Sequence, residues 1–426
     1  MAGSNETPMM GNIKDDSPAA VWQRLKRRLG LAGRTALILT ACVVMLLAYL
    51  VQLEERDVFD SKAAEGITLS APRPFAPGPR MPEGLDLMKS NNNVDVAVFQ
   101  GRFYVAFRTA PTHFASDRTR IVIVSSTDRG QWEREADITL MESDLREPRF
   151  LVFREKLFLY FFRGGRNPFE FAPQSIYVVE RTALREWTPP KAIYRPGYVV
   201  WRARTFNDRA YLSVYHGAGL YTTKDRPGDL RLLVSDDGYE WTPISDAPQV
   251  SDVSAEEGEF TFDDEGNLLA TVRLEVHGAL VCKASHADLA HWECRYTPYK
   301  YDSAIMFRHA GAAYVIARRN LAGPFEDEPY WTPTPLHRAW RLARYSLTRK
   351  RTCLYKLDAE ALRLVPLFDL PGCGDTAYAG MAPLDARRYW IVNYSSDLNG
   401  FDWPWIGGQI AGSRLYEMEL AFPVDR

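Results

Sequence analysis

Apolar and polar residues alternate along most of the chain in short runs. Six times a tight polar turn leads into an apolar, aromatic-rich run that ends on a polar residue. The copies are GRFYVAFR (101–108), EKLFLYFFR (155–163), DRAYLSVYH (208–216), GNLLATVR (266–273), GAAYVIAR (311–318) and ARRYWIVNYS (386–395). Each is preceded by another short apolar run: VDVAVF, EPRFLVF, VWRARTF, EGEFTF, DSAIMF and AYAGMAPL. Runs of this length bounded by turn residues read as paired strands. Four tryptophans keep step with them: Trp132, Trp187, Trp241 and Trp292 are 55, 54 and 51 residues apart. Two of these sit in matching contexts, Ser126-Thr-Asp128-Arg-Gly-Gln-Trp132 and Ser235-Asp-Asp237-Gly-Tyr-Glu-Trp241. There the Asp is expected to close a tight turn on backbone N–H groups, Gly to take the positive-φ position and Trp to pack the hairpin on its neighbour.

A unit of about fifty residues repeated six times predicts an all-β, six-bladed β-propeller. A single blade cannot bury both of its faces, and stacking around an axis does. Two β-sandwiches are the alternative, which the even spacing disfavours. The fifth unit is longer. Residues 320–350 (NLAGPFEDEPYWTPTPLHRAWRLARYSLTRK) form an insertion, read as a lid or partner surface, or as a solvated loop.

One stretch breaks the pattern. Ala36 to Leu53 carries no charge, and only Thr40 and Gln52 are polar. Eighteen such residues are about the minimum for a membrane span. Arg24, Lys26, Arg27, Arg28 and Arg34 precede it, and Glu54, Glu55, Arg56 and Asp57 follow. The positive-inside rule then places the N-terminus in the cytoplasm and the rest outside it, in the periplasm if the cell is Gram-negative. A long basic flank and the lack of a small-x-small site after Tyr49 favour an anchor over a cleaved signal peptide. The expected organisation is a cytoplasmic tail (1–34), a transmembrane helix (35–53), a Pro-rich stalk (54–90) and the propeller (91–426).

Composition narrows function. With 46% hydrophobic residues, 25% charged, 12% aromatic and a net charge of −2, the chain is an ordinary globular protein. No basic surplus marks a nucleic-acid binder. No spacing of His or Cys suggests a metal site, and no cofactor motif occurs. Of five cysteines, Cys42 lies in the apolar stretch. The other four allow three connectivities, among which Cys282–Cys294 is preferred because the two flank a strand-turn-strand.

In a propeller the inner strands line the axis, and polar residues at their ends converge. Those ends carry Asp95, Arg146–Glu147, Arg202, Glu257, Asp302 and Asp375, with Tyr378 just inside the last. The second strands end in Arg108, Arg163, His216, Arg273, Arg318 and Ser395. Inward arginines suit a carboxylate held by paired hydrogen bonds. His113 and His216 are lesser acid–base candidates, and Asp128 and Asp237 read as turn residues.

On these residues the chain resembles the sialidase superfamily, in particular bacterial sialidase-like propellers. The two Ser-x-Asp…Trp turns resemble shortened Asp boxes, and the YSSD run at Tyr394–Asp397 resembles the end of such chains. The order Glu257, Arg273, Arg318, Tyr378 is similar to that family's. The resemblance implies an acidic-sugar substrate whose carboxylate is held by Arg273, Arg318 and a third arginine. It also implies Tyr378 as nucleophile, Glu257 as its base and Asp117, in RTAPTHFASDRTR, as general acid. The family's first arginine has no counterpart in NNNVDVAVF, which leaves Arg108 or Arg146 for its place. Arg202 completes the candidate binding set. Two other readings remain: a non-catalytic glycan- or protein-binding propeller, and a five-bladed glycosidase using Asp95 and Glu257.

Overall fold

In the computed structural model, the described residues are 31–52, 59, 64, 66–167, 171–217, 228–251, 254–325 and 334–423. The cytoplasmic tail expected from sequence lies almost wholly outside them. They form two compact units, residues 1–52 and 53–426.

The described part of the first unit is the helix Leu31–Gln52, whose described side chains from Thr35 to Met45 are exposed. Among the described residues no helix is long and apolar enough to cross a membrane. The described side chains of this one stop short of the full apolar stretch.

The second unit is built from six antiparallel sheets. Their inner strands are Ser90–Phe99, Asp144–Phe153, Tyr198–Phe206, Ala255–Phe262, Asp302–His309 and Ala377–Pro383. Consecutive inner strands touch around the ring, and the last touches the first. Six blades in a closed circle exclude the five-bladed alternative. Each second strand is the aromatic-rich run seen in the sequence, and it is almost wholly buried. Within a blade these strands carry apolar side chains on both faces, because both faces meet neighbouring blades.

The ring closes through residues assigned to the stalk. Thr68–Leu69 and Arg73–Ala76 pair with Arg414–Ala421, the third strand of the sixth blade. The N-terminal side of the domain thus supplies the outer edge of the last blade, and the propeller begins near residue 68 rather than 91. Prolines concealed these strands in the sequence. They are tolerated because an outer strand has one edge that needs no ladder. Phe75, fully buried, packs edge-on against Trp132 of the first blade and Trp390 of the sixth.

The tryptophan turns behave as expected, with one correction. Asp237 accepts from the N–H groups of Tyr239 and Glu240, and Gly238 takes the left-handed position (φ 80°). In the first copy that position belongs to Arg129 (φ 64°), not to Gly130. Its guanidinium pairs with Glu419 at 2.9 Å and lies over the Phe103 and Trp390 rings, contacts that offset the backbone cost. Cys282 and Cys294 face each other across the third and outer strands of the fourth blade and are bonded. Cys353 and Cys373 are buried and free.

If the 73–76 strand is the closure, Phe75→Ala should cost ~3–5 kcal/mol, the usual range for truncating a core phenylalanine. Urea unfolding of the variant checks this, and a loss below ~1 kcal/mol would show that the ring closes without it.

Candidate functional site

All six inner strands break register near the same end. The irregularities fall at Asn92/Asp95, Arg146/Arg149, Val200/Arg202, Glu256/Gly258, Asp302/Ile305 and Ala377/Gly380. Such bulges bend a strand and re-aim a side chain. In five of them a non-glycine residue takes a left-handed backbone: Asn93 (φ 47°), Glu147 (57°), Glu257 (46°), Ser303 (54°) and Tyr378 (60°). Each costs on the order of 1 kcal/mol. All five residues line one cavity of about 410 Å³. That size suits a single sugar-like ligand. The third blade departs from the pattern. Its bulge residue, Trp201, lies edge-on to the Tyr378 ring at 5.2 Å.

Arginines and carboxylates share this cavity. Arg273 pairs with Glu257 (2.6 Å), Glu256 (2.8 Å) and Asp302 (3.2 Å). Glu257 also accepts from the Ser303 N–H at 2.6 Å. Arg318 donates to the Thr376 carbonyl and the Tyr394 hydroxyl, both at 2.9 Å. Its Nη1 makes no hydrogen bond or ion pair with a described residue. Arg146 binds Asp144 and donates to the His113 carbonyl. His113 in turn meets Asp375 at 2.6 Å, and burial pushes its imidazole toward the neutral form.

Five of the residues expected from sequence therefore converge: Tyr378, Glu257, Arg273, Arg318 and Arg146 all line the cavity. Three do not. Arg108 is fully buried and ties the 111–119 loop to the second blade, through Asp144 (2.8 Å) and the Phe114 carbonyl (2.9 Å). Arg202 joins Glu259 (2.6 Å) and Asp95 (3.3 Å) outside the cavity lining, so Asp95 is a structural partner. Asp117 is exposed, and its loop turns Phe114 and Ala115 into the cavity instead. Contacts with Arg108 and with Gln409, the latter distant in sequence, decide which of its residues face inward, and they leave no local sequence signal.

Two residues matter more than their sequence context suggested. Glu147 is buried, and its Oε2 has no partner among the described residues. Burial, with the Glu257 charge beside it, pushes its carboxyl up to about 8, so it carries a proton at neutral pH. Arg149 is also buried, and none of its three nitrogens has a hydrogen-bond partner among the described residues. Its guanidinium lies 3.9 Å from the Tyr378 ring centroid and 4.7 Å from that of Trp201. Burial drives the Tyr378 phenol well above its usual range, and the Arg149 cation pulls it the other way. The Tyr378 hydroxyl itself has no partner among the described residues. Local sequence offered no signal for Arg149; Glu147 was visible as an inner-strand end.

The long insertion roofs the cavity. Its helix, Pro335–Ser346, starts from Thr334 as N-cap and turns Leu342, Tyr345 and Ser346 toward the site. Tyr345 donates to Asp302, Arg338 binds Glu275 at 2.8 Å, and Arg341 donates to the Val276 carbonyl at 3.0 Å. The insertion's described part is thus a fitted lid rather than a solvated loop. A second short helix, Trp405–Ala411, completes the rim with Trp405, Ile406 and Gln409. Trp405 Nε1 donates to Asp375 at 2.9 Å.

Solved structures with this arrangement of blades include several sialidases. Trypanosoma rangeli sialidase in complex with 2,3-difluorosialic acid, a covalent intermediate, is 12% identical and superposes with a TM-score of 0.52 over 78% of this chain and 54% of its own. A Hadza microbial sialidase is 13% identical, with a TM-score of 0.52 over 79% of this chain and 66% of its own. The fold is that of the sialidases. A Dyadobacter fermentans protein of unknown function also shares it, at 15% identity and TM-score 0.59, over 84% of this chain and 100% of its own. This chain spans about half the length of the trypanosomal sialidase. No protein-family model and no curated protein matches it. The sialidase-like propeller is therefore established as architecture, and the chemistry rests on the site.

The raised Glu147 has a consequence for stability. Between pH 4.5 and about 8 the folded chain holds a proton on this carboxyl that the unfolded chain has released. Its contribution is full below 4.5 and is lost as pH rises through 8, at most on the order of 5 kcal/mol. Glu256, pushed up to about 8 mainly by burial, acts in the same direction. Glu147→Gln should therefore flatten, without abolishing, the fall in stability across that window. Urea unfolding at several pH values checks it, and an unchanged slope would show that Glu147 ionises normally.

Proposed function

We propose that this protein is a membrane-anchored, sialidase-like glycoside hydrolase acting on an acidic sugar or glycan at the cell envelope. The observation that carries this reading is the convergence of Tyr378, Glu257, Arg273 and Arg318 on one cavity, from the blades where the sialidase resemblance expects them.

The chemistry follows from the charges. The substrate carboxylate is taken by Arg318 through its Nη1, which has no partner among the described residues, with Arg273 and Arg146 lining the same cavity. A carboxylate beside the anomeric carbon repels an anionic nucleophile, which a neutral phenol avoids. Tyr378 attacks that carbon as Glu257 accepts its proton, and the bond to the leaving oxygen breaks. The leaving oxygen needs a proton, and Glu147, protonated at neutral pH, replaces Asp117 as its donor. Water then cleaves the tyrosyl–sugar bond, with Glu147 now taking a proton. Arg149, over the Tyr378 ring, favours the phenolate character that develops during attack and again when the phenol departs. The charge-free stretch 36–53 serves as a single-pass anchor, with the basic flank inside and the propeller outside.

A non-catalytic glycan-binding propeller is the second reading. Asn92 and Asn93 stand where the sialidase resemblance expects the first arginine, and Arg273 already has three carboxyl partners.

Incubation with 2,3-difluorosialic acid should add one sugar mass to Tyr378, and Tyr378→Phe should lose both this adduct and ~10³-fold or more of turnover on a fluorogenic sialoside. Absence of adduct and turnover, with sialic acid still bound, would favour the second reading. Arg318→Ala should weaken carboxylate binding by ~10-fold or more, the usual cost of one charge-assisted bond. Calorimetric titration with sialic acid measures it, and unchanged affinity would move the carboxylate elsewhere.

A further inference from the structure

The lid helix is amphipathic in the wrong sense for a soluble surface. Leu336, Trp340, Ala343 and, at its C-cap, Leu347 fall at i, i+4, i+7 and i+11, and so on one face. All four are exposed, Leu336 at 79% and Trp340 at 60%. Arg338, Arg341 and Tyr345 occupy the opposite face and are buried. A surface helix ordinarily does the reverse.

The neighbouring rim helix repeats the arrangement. It touches the lid helix and leaves Ile406 and Ile410, one turn apart, exposed. Just before it, Phe401 and Trp403 are exposed and pack together at 4.7 Å. Two adjacent helices at the cavity mouth, with the segment just before the second, thus present Leu, Ile, Trp and Phe outward. Scattered exposed apolar residues need no account, but a contiguous ridge of this kind does.

We propose that this ridge docks onto a lipid bilayer, turning the cavity mouth toward the headgroups. Residue type supports lipid as the occupant. Trp and Phe beside Leu and Ile are the apolar composition of segments that lie in a membrane interface. Of the cations on this segment, Arg338, Arg341 and Lys350 are buried and Arg349 and Arg351 pair with Asp402, which leaves half-buried Arg344 at the ridge. Exposed Lys89 adds a cation beside Ile410, whose carbonyl accepts from it. These two cations suit anionic headgroups. Reach supports it as well. Only residues 53–67 separate the Leu31–Gln52 helix from the first propeller strand, and they span at most ~50 Å. A tether of that length holds the ridge at high effective concentration near the bilayer surface. The docking rests on the anchor reading given above. Its consequence for substrate is that the acidic sugar is presented from the membrane, on a glycolipid or lipid-linked glycan.

The test uses the full chain in vesicles of phosphatidylcholine with phosphatidylglycerol. Nitroxides are placed by Trp340→Cys, Ile410→Cys and, as a reference on a third-blade turn, Asp236→Cys, each in a Cys42→Ser background; Cys353 and Cys373 are buried. Docking predicts that labels at 340 and 410 collide more with oxygen than with a water-soluble nickel chelate, and the label at 236 the reverse. Labels at 340 and 410 that report water, as at 236, overturn the proposal. So does dipolar broadening between copies, which would make the ridge a self-association surface. Shielding from both reagents also overturns it, since a protein segment would then cover the ridge. A label on native Cys42 separates the two readings: lipid exposure there with water at 340 keeps the anchor and removes the docking.

Discussion

Everything at this site depends on how a propeller satisfies the edge it turns toward its own axis. Each inner strand pairs on one side only, so its axial N–H groups would be unpaired in a low-dielectric interior, at roughly 1–3 kcal/mol apiece. Here carboxylates of one blade accept from the backbone of another. Asp95 of the first blade takes the Phe150 N–H of the second at 2.8 Å. Glu259 of the fourth takes the Met306 N–H of the fifth at 3.1 Å. Glu257 does the same for Ser303. Those anions need cations in turn, and Arg202 and Arg204 of the third blade meet Glu259, with Arg202 reaching Asp95 as well. The axis is a polar seam that locks blade to blade, and the bulges that build the cavity sit at its end.

That seam explains why the cavity is so evenly charged. Arg146, Arg273 and Arg318 face Asp144, Glu147, Glu257 and Glu275 in one enclosure. Burying so many ions is tolerable only when they pair or when one neutralises itself. Most pair. Glu147 takes the other course and keeps its proton. A bound carboxylate must therefore join an existing network rather than fill an empty positive pocket. The proton on Glu147 lowers the negative charge that such a ligand would meet.

Much of the architecture was legible in the chain because it is periodic. The six strand pairs, the tryptophan spacing and the Cys282–Cys294 bridge all follow from local pattern. The order Glu257, Arg273, Arg318, Tyr378 survived because each ends or begins a recognisable strand. What escaped notice was set by geometry without local signature. The strand at 73–76 is short and proline-flanked, so it reads as linker until its partner 340 residues away is known. A left-handed bulge residue can be Asn, Glu, Ser or Tyr, and nothing in Arg146–Glu147 says which of the two turns inward without a partner. Asp117 was placed by its position in the blade order, yet its loop presents Phe114 and Ala115 instead.

The lid helix shows how one sequence pattern can answer two demands. Its arginines face inward because the fourth and fifth blades leave Glu275 and Asp302 at the cavity edge, and an unpaired buried carboxylate is the costlier alternative. Arg338 binds the first directly, and Tyr345 donates to the second. Once the polar stripe is committed to the protein, the 3.6-residue period forces Leu336, Trp340 and Leu347 to the far side. The exposed apolar ridge is then the geometric complement of the charges that hold the roof in place. Reversing the helix to hide the ridge would take Arg338 from Glu275 and the Tyr345 hydroxyl from Asp302, so the cavity's closure and the outward apolar face are two sides of the same constraint.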